Sequence, residues 1–209
     1  MNRETMEYDV VIIGAGPSGL STAIRLKQLK PDISVCVLEK GAEVGAHILS
    51  GNVLDPKALN ELIPDWRKKN SPIKIKVTKE KFLFLGKNFS LNWPTWLLPS
   101  VQKNHNNFII SLANLCRWLS EEAEKLGIEI FPGFAASKIL FDESNSVIGV
   151  QTGDMGIDIN GNQKDNFEPG IELKGKVTVF AEGCRGHLGK QLIKKFKLDK
   201  GKSPQQYGI

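Results

Sequence analysis

The sequence predicts an α/β fold whose nucleus is a strand–turn–helix–strand unit near its start. Three observations predict it. Tyr8 to Ile13 is a short β-branched apolar run. Gly14-Ala15-Gly16-Pro17-Ser18-Gly19 follows it directly. Ile33 to Leu38 is a second apolar run, ending on the acid Glu39. Runs this short, apolar rather than alternating, mark strands covered on both faces of a parallel sheet. Between them Leu20, Ile24 and Leu26 are spaced for one face of a helix, and Pro31-Asp32 ends it.

The remaining elements follow in order. Gly41 to Asn52 is glycine-rich and irregular. Asp55-Pro56 reads as the cap and first residue of a short helix reaching Leu62. Ile73 to Phe84 alternates and then turns apolar, which suggests strands. Phe89 to Val101, rich in proline and tryptophan, reads as a loop. Asn107 to Leu126 is the longest helix expected, with Gly127 as its stop. Phe134 to Gly153 reads as a hairpin turning near Glu143 to Ser146. Asp154 to Gly170 is polar and glycine-rich, a loop. Val177 to Ala181 is another buried strand, and Leu188 to Phe196 a basic helix. No linker separates two domains cleanly.

The bulk properties bound the function. With 209 residues, 41% hydrophobic and 24% charged, the chain can bury a real core. A net charge of +5 permits an anionic lipid or acidic partner. Its lysines are scattered and no nucleic-acid motif accompanies them. Cys36, Cys116 and Cys184 are far apart and odd in number, so neither a disulfide framework nor metal-ligand spacing emerges. Cys36 sits in an apolar run as a small core residue. The start shows no signal- or transit-peptide pattern, which points to a bacterial protein or one already trimmed.

Gly14, Gly16 and Gly19 form G-x-G-x-x-G in the context that gives the motif meaning: after a strand, opening a helix, with Glu39 closing the next strand. Gly14 allows the tight turn, Gly16 lets the backbone approach a pyrophosphate, and Gly19 lets helix and strand pack closely. The helix N-terminus presents free N–H groups and a positive dipole end to phosphates. Ser18 adds a hydroxyl donor. Glu39 accepts hydrogen bonds from an adenosine ribose and disfavours a 2′-phosphate, so FAD or NAD fits better than NADP. Lys40 faces either the phosphates and ribose or solvent. A second glycine cluster, Glu182-Gly183-Cys184-Arg185-Gly186, follows the last strand; Gly183 would let that backbone pass a flavin closely. Arg185 is a charge partner there or a surface residue. Arg117, next to Trp118, reaches phosphates from its helix or lies over apolar surface.

The runs MEYDVVIIGAGPSGLSTAIRLKQL, GAHILSGNVLDPKALNELIPDW, RWLSEEAEKLGIEIFPGFAASKIL, TGDMGIDINGNQKDNFEPGIEL and FAEGCRGHLGKQLIKKF carry a resemblance to the electron-transfer-flavoprotein–ubiquinone oxidoreductases along nearly the whole chain. The first run is common among flavoproteins; the second and fourth are more particular. The resemblance implies a FAD-binding Rossmann-like domain of the glutathione-reductase type over residues 1–209. It carries inserted β structure, is incomplete at the C-terminus, and has a membrane-facing insertion at about 72–106 belonging to a quinone-binding region. It implies an electron-transferring-flavoprotein dehydrogenase at a membrane surface, passing electrons from reduced electron-transfer flavoprotein to ubiquinone. Such an enzyme uses FAD and a four-iron–four-sulfur cluster, and this chain lacks the cluster's ligands. His47, Ser50 and Gly51 would lie near the flavin, and Ala136 would meet the adenine through its backbone. His47 also reads as a loop histidine bonded to backbone. No catalytic base or nucleophile is implied, because the cofactors carry the chemistry.

The run from Phe89 to Pro99 places Trp93, Trp96, Leu97 and Leu98 in a loop punctuated by Pro94 and Pro99, flanked by Lys87 and Lys103. Tryptophan favours the membrane–water interface and lysine anionic headgroups. The competing account folds this loop over the protein's own core. The expected location is peripheral, on the cytoplasmic face of a bacterial inner membrane, or on the mitochondrial inner membrane for a trimmed eukaryotic chain. Two other functions stay open: a non-catalytic FAD-binding or membrane-docking module, and a geranylgeranyl-reductase-like flavoprotein.

Overall fold

The computed structural model describes residues 3–49, 51–159, 161–184 and 186–202. The chain divides into two compact units, Met1–His47 with Leu119–Ile209, and Ile48–Trp118. The first unit begins with β1 (Thr5–Ile13), α1 (Pro17–Leu29) and β2 (Val35–Glu39). The second contains β3 (Asn52–Leu54), α2 (Lys57–Leu62), β4 (Ile75–Lys76), β5 (Phe82–Leu85), β6 (Ser90–Trp93) and β7 (Phe108–Ile110). The boundary falls inside α3 (Leu112–Lys125). The first unit then resumes with β8 (Glu129–Pro132), β9 (Ala136–Phe141), β10 (Val147–Thr152), β11 (Met155–Ile157), β12 (Gln163–Glu168), β13 (Glu172–Phe180) and α4 (His187–Phe196).

In the first unit a six-stranded sheet runs β8-β2-β1-β13-β10-β9. The strands β8, β2, β1 and β13 are parallel, and β10 and β9 join antiparallel. Chain order therefore leaves β1 toward β2 on one side and reaches β13 on the other. Such a reversal opens a crevice at the carboxyl ends of the strands. The core of this unit contains Tyr8, Val11, Ile13, Cys36, Leu38, Val150, Leu173 and Leu188. Each fully buried aliphatic side chain contributes about 1.5–3 kcal/mol of transfer free energy. Cys36 is a buried core residue as its apolar run predicts, and burial first, then the Glu129 carboxylate, pushes its thiol up to about 12. Tyr8 donates to Glu129 Oε2 at 2.7 Å, and its phenol is raised chiefly by burial and then by that bond.

Arg3 ties the β1 end to the loop after β10. Its guanidinium donates to both carboxylate oxygens of Asp154, at 3.0 Å for Oδ2, and to the Gly170 carbonyl at 2.8 Å. Asp154 Oδ1 also accepts from Gly170 N–H at 2.7 Å. Arg3, then that N–H, hold the Asp154 carboxyl down to about 2, against an ordinary value of 3.8. A carboxylate depressed on folding stabilises the fold above its unfolded pKa, and that stabilisation is lost as pH falls through the folded value. Melting temperatures measured between about pH 5 and about pH 2 are therefore expected to drop as pH falls from about 4 to about 2. An Asp154→Asn variant is expected to start lower and show a smaller drop; an equal drop in both would discount the clamp.

Three elements differ from the sequence-based expectation. The long helix begins at Leu112 rather than Asn107, because Phe108–Ile110 forms β7, paired with β3 and β4. Ser111 separates the two, and its Oγ accepts from Asn114 N–H at 3.4 Å. The polar stretch from Asp154 to Gly170 is not all loop; β11 and β12 pair there as an antiparallel ribbon. Ser90–Trp93 is likewise a strand, not loop. The prolines act just beyond it, at the entries to the short 3₁₀ turns Thr95–Leu97 and Ser100–Gln102.

Within the second unit β3-β7-β4 form a small antiparallel sheet, and β5-β6 a separate two-stranded hairpin. The anchor is Trp66, 2% exposed, which donates through Nε1 to Asn60 Oδ1 at 2.8 Å. Its ring meets Phe108 edge-on, with centroids 5.6 Å apart.

Candidate dinucleotide site

The glycine turn leaves β1 at the middle of the parallel sheet. Gly14 N–H donates to Leu38 O on one side at 2.8 Å, and Ala181 N–H donates to Ile13 O on the other at 2.8 Å. The turn is thus held between the ends of β2 and β13. Its three glycines do different work. A Cβ on Gly14 would stand 2.5 Å from the Ala181 carbonyl oxygen, and the residue has φ +106°. A Cβ on Gly19 would stand 2.0 Å from the Gly14 carbonyl oxygen. Gly16 is unlike both. Its backbone is extended, with φ −78° and ψ 179°, and a Cβ there would meet nothing within 4 Å. The fold itself therefore requires glycine at 14 and 19, and leaves open space at 16. That is the space a pyrophosphate would take, so the residues present fit a dinucleotide.

No side chain caps α1, whose first residue is Pro17. The N–H end of the helix is left to a ligand or water. Ser18 is exposed at that end; its carbonyl accepts from Thr22 Oγ1 at 2.7 Å.

Glu39 has a role that its motif position did not reveal. Its Oε2 accepts from Ala15 N–H at 3.1 Å, and its Oε1 accepts from Gly41 N–H at 2.8 Å. Gly41 O in turn accepts from Gly133 N–H at 2.7 Å. One carboxylate thus fastens the glycine turn to the loop after β2, and that loop to the end of β8. Each carboxylate oxygen keeps lone-pair capacity for a ribose hydroxyl.

The other residues singled out in the sequence spread around and beyond this turn. Ala136 opens β9 three residues after Gly133 and is 4% exposed, so its backbone alone is available to a ligand. Gly183 is exposed after β13, with φ +73° and open space where a Cβ would stand. Lys40 and His47 are exposed. Among the described residues neither is held by a hydrogen bond or ion pair. Gly51 is exposed in the second unit. Arg117 lies in the part of α3 belonging to that unit and donates to Asn114 Oδ1 at 2.9 Å. Ser50 and Arg185 lie outside the described residues. Trp96 and Leu97 are exposed at 74% and 51%, and Trp93 at 38%. Leu98 departs from the expected membrane-facing set: it is buried, turned under by the 3₁₀ turn that precedes it.

Sequence reasoning overlooked Glu182. Its Oε2 accepts from Gly189 N–H at 2.8 Å, and its Oε1 lies 3.3 Å from His187 Nδ1. The acid thereby neutralises the positive end of α4 and fixes the chain just after β13. An acid a few residues before a helix start was the available signal. Among the described residues no group of three or more His, Cys, Asp and Glu is placed to hold a metal ion. No helix there is long and apolar enough to cross a membrane.

With this geometry in view, the relationships are informative. The profile of the Thi4 family matches residues 1–61. The crystal structure of a geranylgeranyl bacteriochlorophyll reductase-like protein from Thermoplasma acidophilum superposes with a TM-score of 0.57 at 19% identity, over 85% of this chain and 39% of that one. That likeness shows the fold, a mixed α/β fold with a largely parallel sheet. Electron transfer flavoprotein-ubiquinone oxidoreductase of Pseudomonas aeruginosa is 54% identical across all of this chain, which spans 39% of it. The mitochondrial enzyme of that name in Arabidopsis thaliana is 56% identical over 94% of this chain and 31% of its own length. The glycine turn, its acid and the strand order thus sit in a chain that is similar along nearly its whole length to electron transfer flavoprotein-ubiquinone oxidoreductases, of whose length it spans under two fifths.

Proposed function

We propose that this chain holds FAD at the Gly14–Gly19 turn. We further propose that it forms part of an oxidoreductase that passes electrons from reduced electron-transfer flavoprotein to ubiquinone. The observation that carries the cofactor reading is the open space at Gly16 between two glycines that the fold itself demands. FAD, when bound, supplies the redox chemistry. The chain supplies position. The N–H end of α1 faces the phosphates, Glu39 takes the ribose hydroxyls, and the backbone at Gly183 and Ala136 borders the cofactor. Lys40, His47, Ser50, Gly51 and Arg117 complete the set on the family pattern. The names of the relatives support electron-transfer flavoprotein and quinone as partners. Of the three cysteines, two are buried and one is exposed. On this reading a four-iron–four-sulfur cluster would take its four thiolates from other parts of such an enzyme.

We also place the second unit against a membrane, at the cytoplasmic face of a bacterial inner membrane or its mitochondrial counterpart. The observation favouring this is the run of exposed aromatic and aliphatic side chains on the β5-β6 hairpin and the turns after it.

Calorimetric titration tests the cofactor reading. FAD is expected to bind and NADP is not, because the Glu39 carboxylate repels a 2′-phosphate. Glu39→Ala is expected to weaken FAD binding at least about tenfold, roughly the loss of one charge-assisted hydrogen bond. Equal affinity for FAD and NADP, or an unaffected variant, would argue against this assignment.

A further inference from the structure

The chain's net charge is not spread evenly between its two units. Residues 48–118 hold eleven Lys and Arg against four Asp and Glu, a net of +7; the rest holds 17 against 19, a net of −2. The whole positive excess therefore belongs to the smaller unit. Within it Lys74, Lys76, Lys79, Lys81, Lys87 and Lys103 are all exposed. The single acid between residues 72 and 106 is Glu80, whose Oε2 accepts from Asn104 N–H at 2.9 Å.

Lys81 and Lys87 flank β5 in the chain, and among the described residues the β5-β6 hairpin pairs with no further strand. In the β5-β6 hairpin Phe82 pairs with Trp93 and Phe84 with Leu91. Residues paired across a ladder share a face, so these four side chains form one wholly apolar side. Phe84 meets Phe82 and Trp93 edge-on, each with centroids 5.5 Å apart. All four are between 36% and 55% exposed. A two-stranded hairpin without further strands is marginal in water, and burying such a face would steady it. Exposed aromatic side chains beside exposed lysines, of which Lys103 donates to the Trp96 carbonyl at 3.2 Å, match the boundary of an anionic bilayer, where rings enter the headgroup layer and ammonium groups remain at its surface.

Building on the membrane reading above, we propose that the second unit is selective for anionic lipid. The lysines Lys74 to Lys103 supply the selectivity, and the apolar hairpin supplies the insertion. A basic juxtamembrane residue strengthens binding to an anionic surface roughly fivefold. The neutral remainder of the attraction comes from the aromatic side chains.

Sedimentation of the purified chain with two kinds of vesicle tests this: phosphatidylcholine alone, and phosphatidylcholine with phosphatidylglycerol. The chain is expected to bind the anionic vesicles more tightly, and added salt is expected to erase the difference. A Lys79→Gln, Lys81→Gln, Lys87→Gln variant with an unchanged circular dichroism spectrum is expected to lose on the order of a hundredfold toward anionic vesicles. Its binding to neutral vesicles should stay the same. Equal binding of the chain to both vesicles, unmoved by salt or by the lysine changes, would overturn the lipid selectivity and leave membrane docking standing. Absence of binding to either vesicle would overturn both and give the apolar hairpin to a protein surface instead.

Discussion

Gly19→Ala is expected to destabilise the first unit by about 3 kcal/mol, a cost typical of forced overpacking in a close-packed site. Gly16→Ala should cost no more than about 1 kcal/mol, the scale of a changed helix N-cap. The two positions are three residues apart in one motif, so the contrast isolates geometry. At Gly19 the added carbon would stand 2.0 Å from the Gly14 carbonyl oxygen and 3.3 Å from the Ala181 side chain. Relief of that clash would force α1 away from β1, or β13 from both. At Gly16 the same carbon enters empty space in a backbone conformation open to every residue. Urea denaturation of the two variants measures this. If both lost the same stability, Gly16 would be a structural glycine and the dinucleotide reading would lose its main support.

Trp66→Ala is expected to cost about 4 kcal/mol and to melt the second unit. The indole is 2% exposed and is one of two tryptophans buried in that unit. Its removal takes away the edge-on contact with Phe108 in β7 and leaves Asn60 Oδ1 with the Arg67 donor at 2.9 Å. Trp66→Phe should recover much of the packing while losing the Nε1 hydrogen bond. A loss under about 1 kcal/mol for the alanine variant, as at an ordinary surface position, would show that β3-β7-β4 stands without this anchor. Fluorescence-monitored denaturation is a suitable readout.

The parts most legible in the sequence were those where periodicity and glycine chemistry agree. Val10 to Ile13 and Val35 to Leu38 are apolar throughout because β1 and β2 lie inside the parallel sheet. Their ends are marked by the glycine turn and by Glu39. The Phe134 to Gly153 hairpin was legible for a related reason: Ala136, Ile139 and Val150 are buried while polar residues mark the turn. Elsewhere the physics left no pattern. Gln163–Glu168 is exposed along almost its whole length, so β12 shows no burial alternation and is held by its backbone ladder with β11. The Asn160-Gly161 dipeptide was the one hairpin signal in that stretch. Phe108–Ile110 joins an apolar strand to an apolar helix face with only Ser111 between, and periodicity does not split such a run.

At the site, the sequence shows which residue types gather but not how they brace one another. Glu39 was legible as a ribose acceptor from its place after a strand. That it also binds Ala15 and Gly41, and so carries the turn, depends on how close β1 and β2 run. Glu182 was hidden because its partner N–H groups belong to a helix start several residues on. Leu98 shows the converse. Composition put it with Trp96 and Leu97, whereas one 3₁₀ turn sends it inward.

The most direct test of the central claim is the visible absorption spectrum of the chain after incubation with FAD and gel filtration, beside a Gly16→Val variant. The account predicts a flavin spectrum that stays with the chain and is lost in the variant, while both melt at nearly the same temperature. Flavin retained equally by Gly16→Val, or by neither protein, would contradict the placement of the cofactor at this turn.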